Sequence, residues 1–285
     1  MNDLIIHPKT DQHLAAFVER PSHAVLIVGP AGSGKMTMAI SLAESVLALE
    51  KNRLNTYGYS KTLSPVDDKA IGIDVIRELE QFLSLKVPID RAINRTVIIE
   101  NSHKLTVEAQ NALLKLLEEP PLGTVIILTA SHSQSLLPTI RSRVQTINLA
   151  KPEKQQIDTY FSGQKYQSDD IRRAYSVSGG LPGLMSSMLG DEEHPLTVAT
   201  EWARKLLAQT LYERLLVVDE LSKQRQLAVD TTYILKQMAH VSLQTASGNS
   251  AIKWRSILKA SYDANEGLSG NGNAKLILTK LMLSI

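Results

Sequence analysis

Seven residues, Gly29-Pro30-Ala31-Gly32-Ser33-Gly34-Lys35, constrain this chain more than any other stretch. The unbroken apolar run 24–28 (AVLIV) precedes them. Such a run marks a strand buried on both faces of a parallel sheet. After Lys35 the residues Met38, Ile40, Leu42, Ala43, Val46 and Leu47 recur at mostly helical intervals, so the turn opens into an amphipathic helix. Strand, glycine-rich turn and helix in this order form a phosphate-binding loop. The small residues let successive backbone N–H groups converge where the positive end of the helix dipole lies, and Lys35 adds a mobile cation. A polyphosphate is the expected ligand, held from Gly29 to Lys35 with Met36 and Thr37 opening the helix.

The rest of the chain extends this unit. Residues 73–83 place Ile73, Ile76, Leu79, Phe82 and Leu83 on one helical face. Residues 96–99 (TVII) and 124–130 (TVIILTA) read as further buried strands, and 106–119 as a helix stopped by Pro120 and Pro121. A weak strand is expected near Tyr57 and Tyr59. Strands alternating with helices imply an α/β fold with a right-handed, mostly parallel sheet over residues 1–150. After Lys151 and Pro152 the alternation gives way to helical patterns. A small helical lid over 151–190 and a helical bundle over 196–285 are expected, with Trp202 and Trp254 in the core. A length of 285 residues suits such a division.

The groups that would cleave a bound nucleotide are depleted. The position after the lysine, which should offer a hydroxyl to Mg²⁺, is Met36, and Thr37 lies about 100° further round the helix. Strand 96–99 runs into Glu100-Asn101-Ser102-His103. Glu100 can serve the metal side, but Asn101 cannot take a proton from an attacking water. His103 is an alternative base, though a histidine past a strand end is more often structural.

Composition removes other classes. Lys and Arg total 31 against 29 Asp and Glu, a net +2, so no broad positive field supports tight autonomous binding to nucleic acid. Any DNA contact must be local or shared, with Lys61 and Lys69 as exposed candidates. The chain holds no cysteine, which excludes disulfides, thiolate metal sites and thiol nucleophiles. No stretch carries the roughly 18 apolar residues that cross a bilayer, and the N-terminus lacks a signal pattern, so a cytoplasmic chain with no membrane partner is expected.

Two segments then add a resemblance. KLTVEAQNALLKLLEEPP (104–121) and LLPTIRSRV (136–144) resemble the clamp-loader branch of the AAA+ ATPases, and GNGNAKLILTKLMLSI (270–285) is similar to the last helix of that family's collar domain. The resemblance implies ATP as the nucleotide, gamma/tau and delta subunits as partners in a ring, and action on a sliding clamp at primer–template DNA. Ser142 and Arg143 match the first two positions of the family's Ser-Arg-Cys motif, with Val144 in place of the cysteine; Arg143 is thereby implied as an arginine finger acting in trans on the next subunit's ATP. A planar, permanently charged guanidinium suits that task. The family's four-cysteine zinc module is missing, so no zinc is implied. Pro182 stands where the lid arginine of motor subunits falls, and sensor polarity would come from Thr129 or Ser131. Loss of function at Met36, Asn101 and Pro182 together, with Arg143 retained, implies the delta-prime type of stator with little or no ATPase of its own. A gamma/tau-like active ATPase is the alternative, and a small-molecule P-loop kinase is disfavoured because Arg172 and Arg173 are the main arginines after the sheet.

Overall fold

A computed structural model of the chain describes residues 4–65, 70–88, 91–190, 196–270 and 272–285. It divides into two compact units, Met1–Glu153 and Lys154–Ile285.

The first unit is a five-stranded parallel sheet in the order β2-β3-β4-β1-β5. Its strands are β1 (Ala24–Val28), β2 (Ser60–Leu63), β3 (Arg95–Ile99), β4 (Thr124–Ala130) and β5 (Gln145–Asn148). Its helices are α1 (Pro8–Glu19), α2 (Lys35–Val46), α3 (Ile73–Ser84), α4 (Val107–Glu118) and the single turn α5 (Pro138–Arg141). Both faces of the central strands β1, β3 and β4 are covered, which explains why they are buried at nearly every position and mostly apolar. From β1, Ala24 and Leu26 enter the core on the side of α3 and α4, while Val25 and Ile27 enter the core on the side of α1 and α2. Strand β4 splits likewise: Ile126, Leu128 and Ala130 to one side, Val125 and Ile127 to the other.

The edges of the sheet depart from expectation. The second strand lies at Ser60–Leu63, just past Tyr57 and Tyr59. Those two rings pack edge to face at 5.7 Å, and the Tyr57 hydroxyl donates to the Asn94 carbonyl at 3.0 Å. Strand β5 is not expected from the pattern of the chain, because in Gln-Thr-Ile-Asn only Ile147 is buried.

The second unit is helical among its described residues: α6 (Lys154–Ser162), α7 (Ser168–Ser178), α8 (Pro182–Met188), α9 (Thr197–Ala208), α10 (Leu211–Leu216), α11 (Val218–Lys223), α12 (Arg225–Thr245), α13 (Gly248–Ser269) and α14 (Ala274–Ser284). The long helix α12 is central: α7, α9, α13 and α14 all pack on it. Two residues separate α12 from α13, a connection that folds them back as an antiparallel pair. Two arginines fasten helix ends in this bundle. Arg225 donates to the carbonyls of Leu268 and Gly272 at 3.1 and 3.2 Å, and the buried Arg214 to those of Leu206, at 2.7 Å, and Ile285. The two tryptophans expected in the core are only half-buried, and Lys205 Nζ sits 4.7 Å from the centre of the Trp202 ring.

Candidate functional site

The phosphate loop leaves the C-terminal end of β1, where parallel sheets bind their ligands. Gly29 N–H donates to the Ala130 carbonyl at 3.1 Å, and Ser33 N–H to the Pro30 carbonyl at 3.2 Å, closing the loop on itself. Gly32 and Gly34 have φ of 74° and 85°, a left-handed backbone that side chains disfavour. Gly29 is needed for space: a Cβ there would lie 2.6 Å from Ser33 Oγ and 3.2 Å from Leu149 Cβ.

Gly34 is the N-cap of α2 and supplies no side-chain cap, so the first N–H groups of the helix, from Lys35 to Thr37, keep no helical acceptor. Ser33 Oγ is buried without a hydrogen-bond partner. Unused donors, an orphaned buried hydroxyl and a loop contour that only glycine follows fit a polyphosphate, with residues 29–35 and the start of α2 as its holders. Lys35 Nζ donates to the carbonyls of Gly29 at 2.7 Å and Pro30 at 2.9 Å. Burial lowers its pKa to about 8, opposed by the charge of Glu100.

The neighbouring strand ends carry the remaining polar groups. Thr129 of β4 pairs in register with Ile27 of β1, placing it between the loop strand and β3. Its hydroxyl accepts from Asn101 N–H at 2.9 Å, and its carbonyl from Ser102 Oγ at 2.9 Å. This latch holds Asn101 in a left-handed conformation, φ 49°. Ser131 follows the end of the same strand and is half-buried. His103 is a poor base: burial, together with the charges of Lys35 and His132, lowers its pKa to about 4, far from a useful working value. Met36 packs against the apolar core beside α2, and Thr37 is exposed to solvent. For Mg²⁺, the chemistry of these donors is thin, with a thioether where a hydroxyl is needed and Glu100 as the carboxylate. Among the described residues no group of three or more His, Cys, Asp or Glu side chains is placed to hold a metal ion.

Arg143 lies elsewhere in the same unit, between α5 and β5. Its Nη2 pairs with Glu118 Oε1 at 2.7 Å, and its Nη1 donates to the Thr139 carbonyl at 3.0 Å and to Ser142 Oγ at 3.4 Å. Arg141 is exposed, whereas Val144, at the motif's third position, is buried against the α4 core. Two residues that sequence reasoning passes over build this corner. Gln110, buried in α4, accepts from Leu137 N–H at 2.8 Å and donates to the Leu105 carbonyl at 3.2 Å, tethering the entry to α5. Its signal in the sequence is an amide on the helical face otherwise occupied by Leu113 and Leu117. Glu118, the last residue of α4, is the second; a carboxylate at a helix C-terminus is disfavoured by the dipole, and Arg143 offsets it.

Pro182 begins α8 in the helical unit, where its ring suits the first helical position and brings no cation. Lys61 lies on edge strand β2 with its ammonium 5.8 Å from the centre of the Phe82 ring, and Lys69 lies outside the described residues.

A family model described as DNA polymerase III, delta subunit, matches residues 7–153. The DNA polymerase III subunit delta′ of Haemophilus influenzae is 29% identical over 174 residues, covering 56% of this chain and 53% of that protein. The delta′ subunit of Escherichia coli is 29% identical over 195 residues, covering 62% and 58%. The matched stretches thus span about half the length of these curated relatives. A crystal structure of a DNA polymerase III gamma subunit-related protein from Thermotoga maritima superimposes with a TM-score of 0.57 at 22% identity, over 95% of this chain and 97% of that one, which shows a shared fold. The loop-bearing parallel sheet and the family match over more than half of the residues agree: the chain belongs to the DNA polymerase III delta-subunit family, in the clamp-loader branch of the AAA+ ATPases.

Proposed function

We propose that this chain is a delta′-type stator of a clamp loader. It holds nucleotide weakly and hydrolyses almost none; it assembles through its C-terminal helices, read as lid (151–190) and collar (196–285), with gamma/tau- and delta-type subunits. In the ring it extends Arg143 to the ATP of a neighbouring subunit while a sliding clamp is placed on primer–template DNA.

The observation that carries this reading is the setting of Arg143. The side chain is partly exposed, on a short turn braced by Gln110, and it is balanced by one carboxylate at 2.7 Å. A half-exposed ion pair of this kind is worth about 0.2–1 kcal/mol, so exchanging Glu118 for a phosphate costs little. The chain's own loop contrasts with this: its residues fit a polyphosphate, and when nucleotide is bound the chemistry it could supply is phosphoryl transfer to water. Met36 offers no hydroxyl for a metal, Asn101 is not a base and has its backbone latched to Thr129, and His103 is too weakly basic.

The test is a pair of turnover assays. In the reconstituted assembly, Arg143→Ala should leave assembly intact and slow hydrolysis at the neighbouring site by about 10³ to 10⁵, the range known for arginine fingers. The isolated chain with ATP and Mg²⁺ should turn over almost nothing. Unchanged neighbour activity removes Arg143 from this role. DNA-stimulated turnover by the isolated chain that disappears in Lys35→Ala establishes a gamma/tau-like motor instead.

A further inference from the structure

The net charge of +2 is spread thinly over the chain, yet one place in the helical unit gathers several cations on facing helices. Helices α12 and α13 enclose an open groove of about 600 Å³. Lys236 and His240 line it from α12, and Arg255, Lys259 and Tyr262 from α13. Each pair is set one helical turn apart, 236 with 240 and 255 with 259, so each wall presents these polar side chains on a single face. None of the lining residues is acidic, and Lys236, Arg255 and Lys259 make no ion pair among the described residues. Two lysines of other helices in the unit are paired, Lys154 with Asp158 and Lys275 with Asp219.

Within this row stands an aromatic ring. Tyr262 is 56% exposed, and Lys236 Nζ lies 5.8 Å from its centre and 5.2 Å from that of Tyr233. Burial holds the Lys236 ammonium below its ordinary pKa, so an anion arriving in the groove relieves a cation already stripped of part of its water. Unpaired cations alone would accept any polyanion. Interleaved with an open aromatic ring, they match the two components by which single-stranded nucleic acid is held: phosphates neutralised by Lys and Arg, and a base stacked on an aromatic side chain.

We propose that the α12–α13 groove is a binding site for single-stranded nucleic acid, with Lys236, Arg255 and Lys259 on the phosphates and Tyr262 stacking on a base. The site lies within one compact unit of one chain and does not rest on the role given to Arg143. It is therefore tested without partner subunits.

The probe is a fluorescently labelled oligothymidylate, titrated with the isolated full-length chain at several salt concentrations and read by anisotropy. Wild type should bind weakly and with a strong salt dependence. Arg255→Glu combined with Lys259→Glu should abolish most of the binding and reduce the slope of log affinity against log salt by about 1.4, at about 0.7 for each phosphate no longer neutralised. Tyr262→Ala should weaken binding by about 5- to 150-fold and leave that slope unchanged. Lys253→Glu, an exposed cation of α13 outside the groove, is the control. All of these positions are exposed, and thermal melts verify that each variant folds. Failure of wild type to bind overturns the site, as does an equal loss in Lys253→Glu. Binding indifferent to Tyr262→Ala, and displaced equally well by polyglutamate, overturns it in favour of an acidic polypeptide.

Discussion

Lys35 and Arg143 sit in the same sheet unit and are both partly sequestered cations, yet they are held in opposite ways. Lys35 is half-buried, and its ammonium rests on two neutral carbonyls of its own loop. Arg143 is partly exposed, and its guanidinium rests on a carboxylate at the end of another helix. Loss of water around the Lys35 ammonium lowers its pKa more than the charge of Glu100 raises it, whereas Arg143 has a carboxylate in direct contact. The first arrangement awaits a ligand inside this chain, and the second can be exchanged for an anion presented from outside. The contrast separates a pocket whose residues fit phosphate from the side chain proposed to reach another subunit's.

The most forceful way to break the comparison, after removal of Arg143 itself, is to damage the pocket alone. Gly29→Ala drives a Cβ to 2.6 Å from Ser33 Oγ and 3.2 Å from Leu149 Cβ. Overpacking of this kind costs about 1–3 kcal/mol, or about 5- to 150-fold in the population of a loop able to bind phosphate. Calorimetric titration with a nucleotide should show that loss, while the stimulation of a neighbour's hydrolysis proposed for this chain persists. If the stimulation is lost in parallel with the chain's own nucleotide affinity, pocket and finger are one system and the contrast fails.

A gentler separation uses pH. The pKa of Lys35 is lowered from 10.5 to about 8 in the free protein, and a bound polyphosphate raises it again. Ligand therefore binds with proton uptake once the pH exceeds about 8, and affinity should fall by up to about tenfold per pH unit between the free and bound values. Below pH 7 the ammonium is charged in both states and its contribution to the dependence vanishes. Lys35→Arg should flatten the profile, because a guanidinium does not discharge in this range. A flat profile in wild type would show that Lys35 contributes no charge to the ligand.

The same contrast shows what the amino-acid sequence discloses. Strands β1, β3 and β4 are legible because both of their faces are buried, so they are apolar at nearly every position. Helix α4 is legible from its spacing and the prolines after it, and its start at the Thr106 cap, which accepts from Ala109 N–H, agrees. Strand β5 is hidden, since a mostly exposed edge strand with Ile147 alone in the core leaves no periodic trace. Of the site, the glycine spacing reveals the loop because a fixed backbone path demands it. The partners of its cations are not legible. Glu118 meets Arg143 across 25 positions of sequence only because α4 packs on α5. The choice between Thr129 and Ser131 is likewise open in the sequence; the register of β4 with β1 and the latch to Asn101 tie Thr129 to the strand ends. The cations of the α12–α13 groove look like scattered surface charge until the two helices are aligned.

The smallest effect is expected at the brace. Glu118 and Arg143 have side chains that are 50% and 36% exposed, so water already screens the pair and its loss should cost about 0.2–1 kcal/mol of stability. Glu118→Gln keeps the shape of the side chain, can still hydrogen-bond the guanidinium, and removes an unfavourable charge from the C-terminal end of α4. Its melting temperature should therefore stay close to that of wild type. If the pair must open before Arg143 reaches across a subunit boundary, the same substitution lowers the cost of opening by up to about 1 kcal/mol, and neighbour turnover should rise by up to about fivefold in the reconstituted assembly. A fall as deep as that caused by Arg143→Ala would mean that the carboxylate aims the guanidinium in the working state. Glu118 would then be a positioning residue for the finger, and the exchange of one anion for another would be the wrong description of this corner.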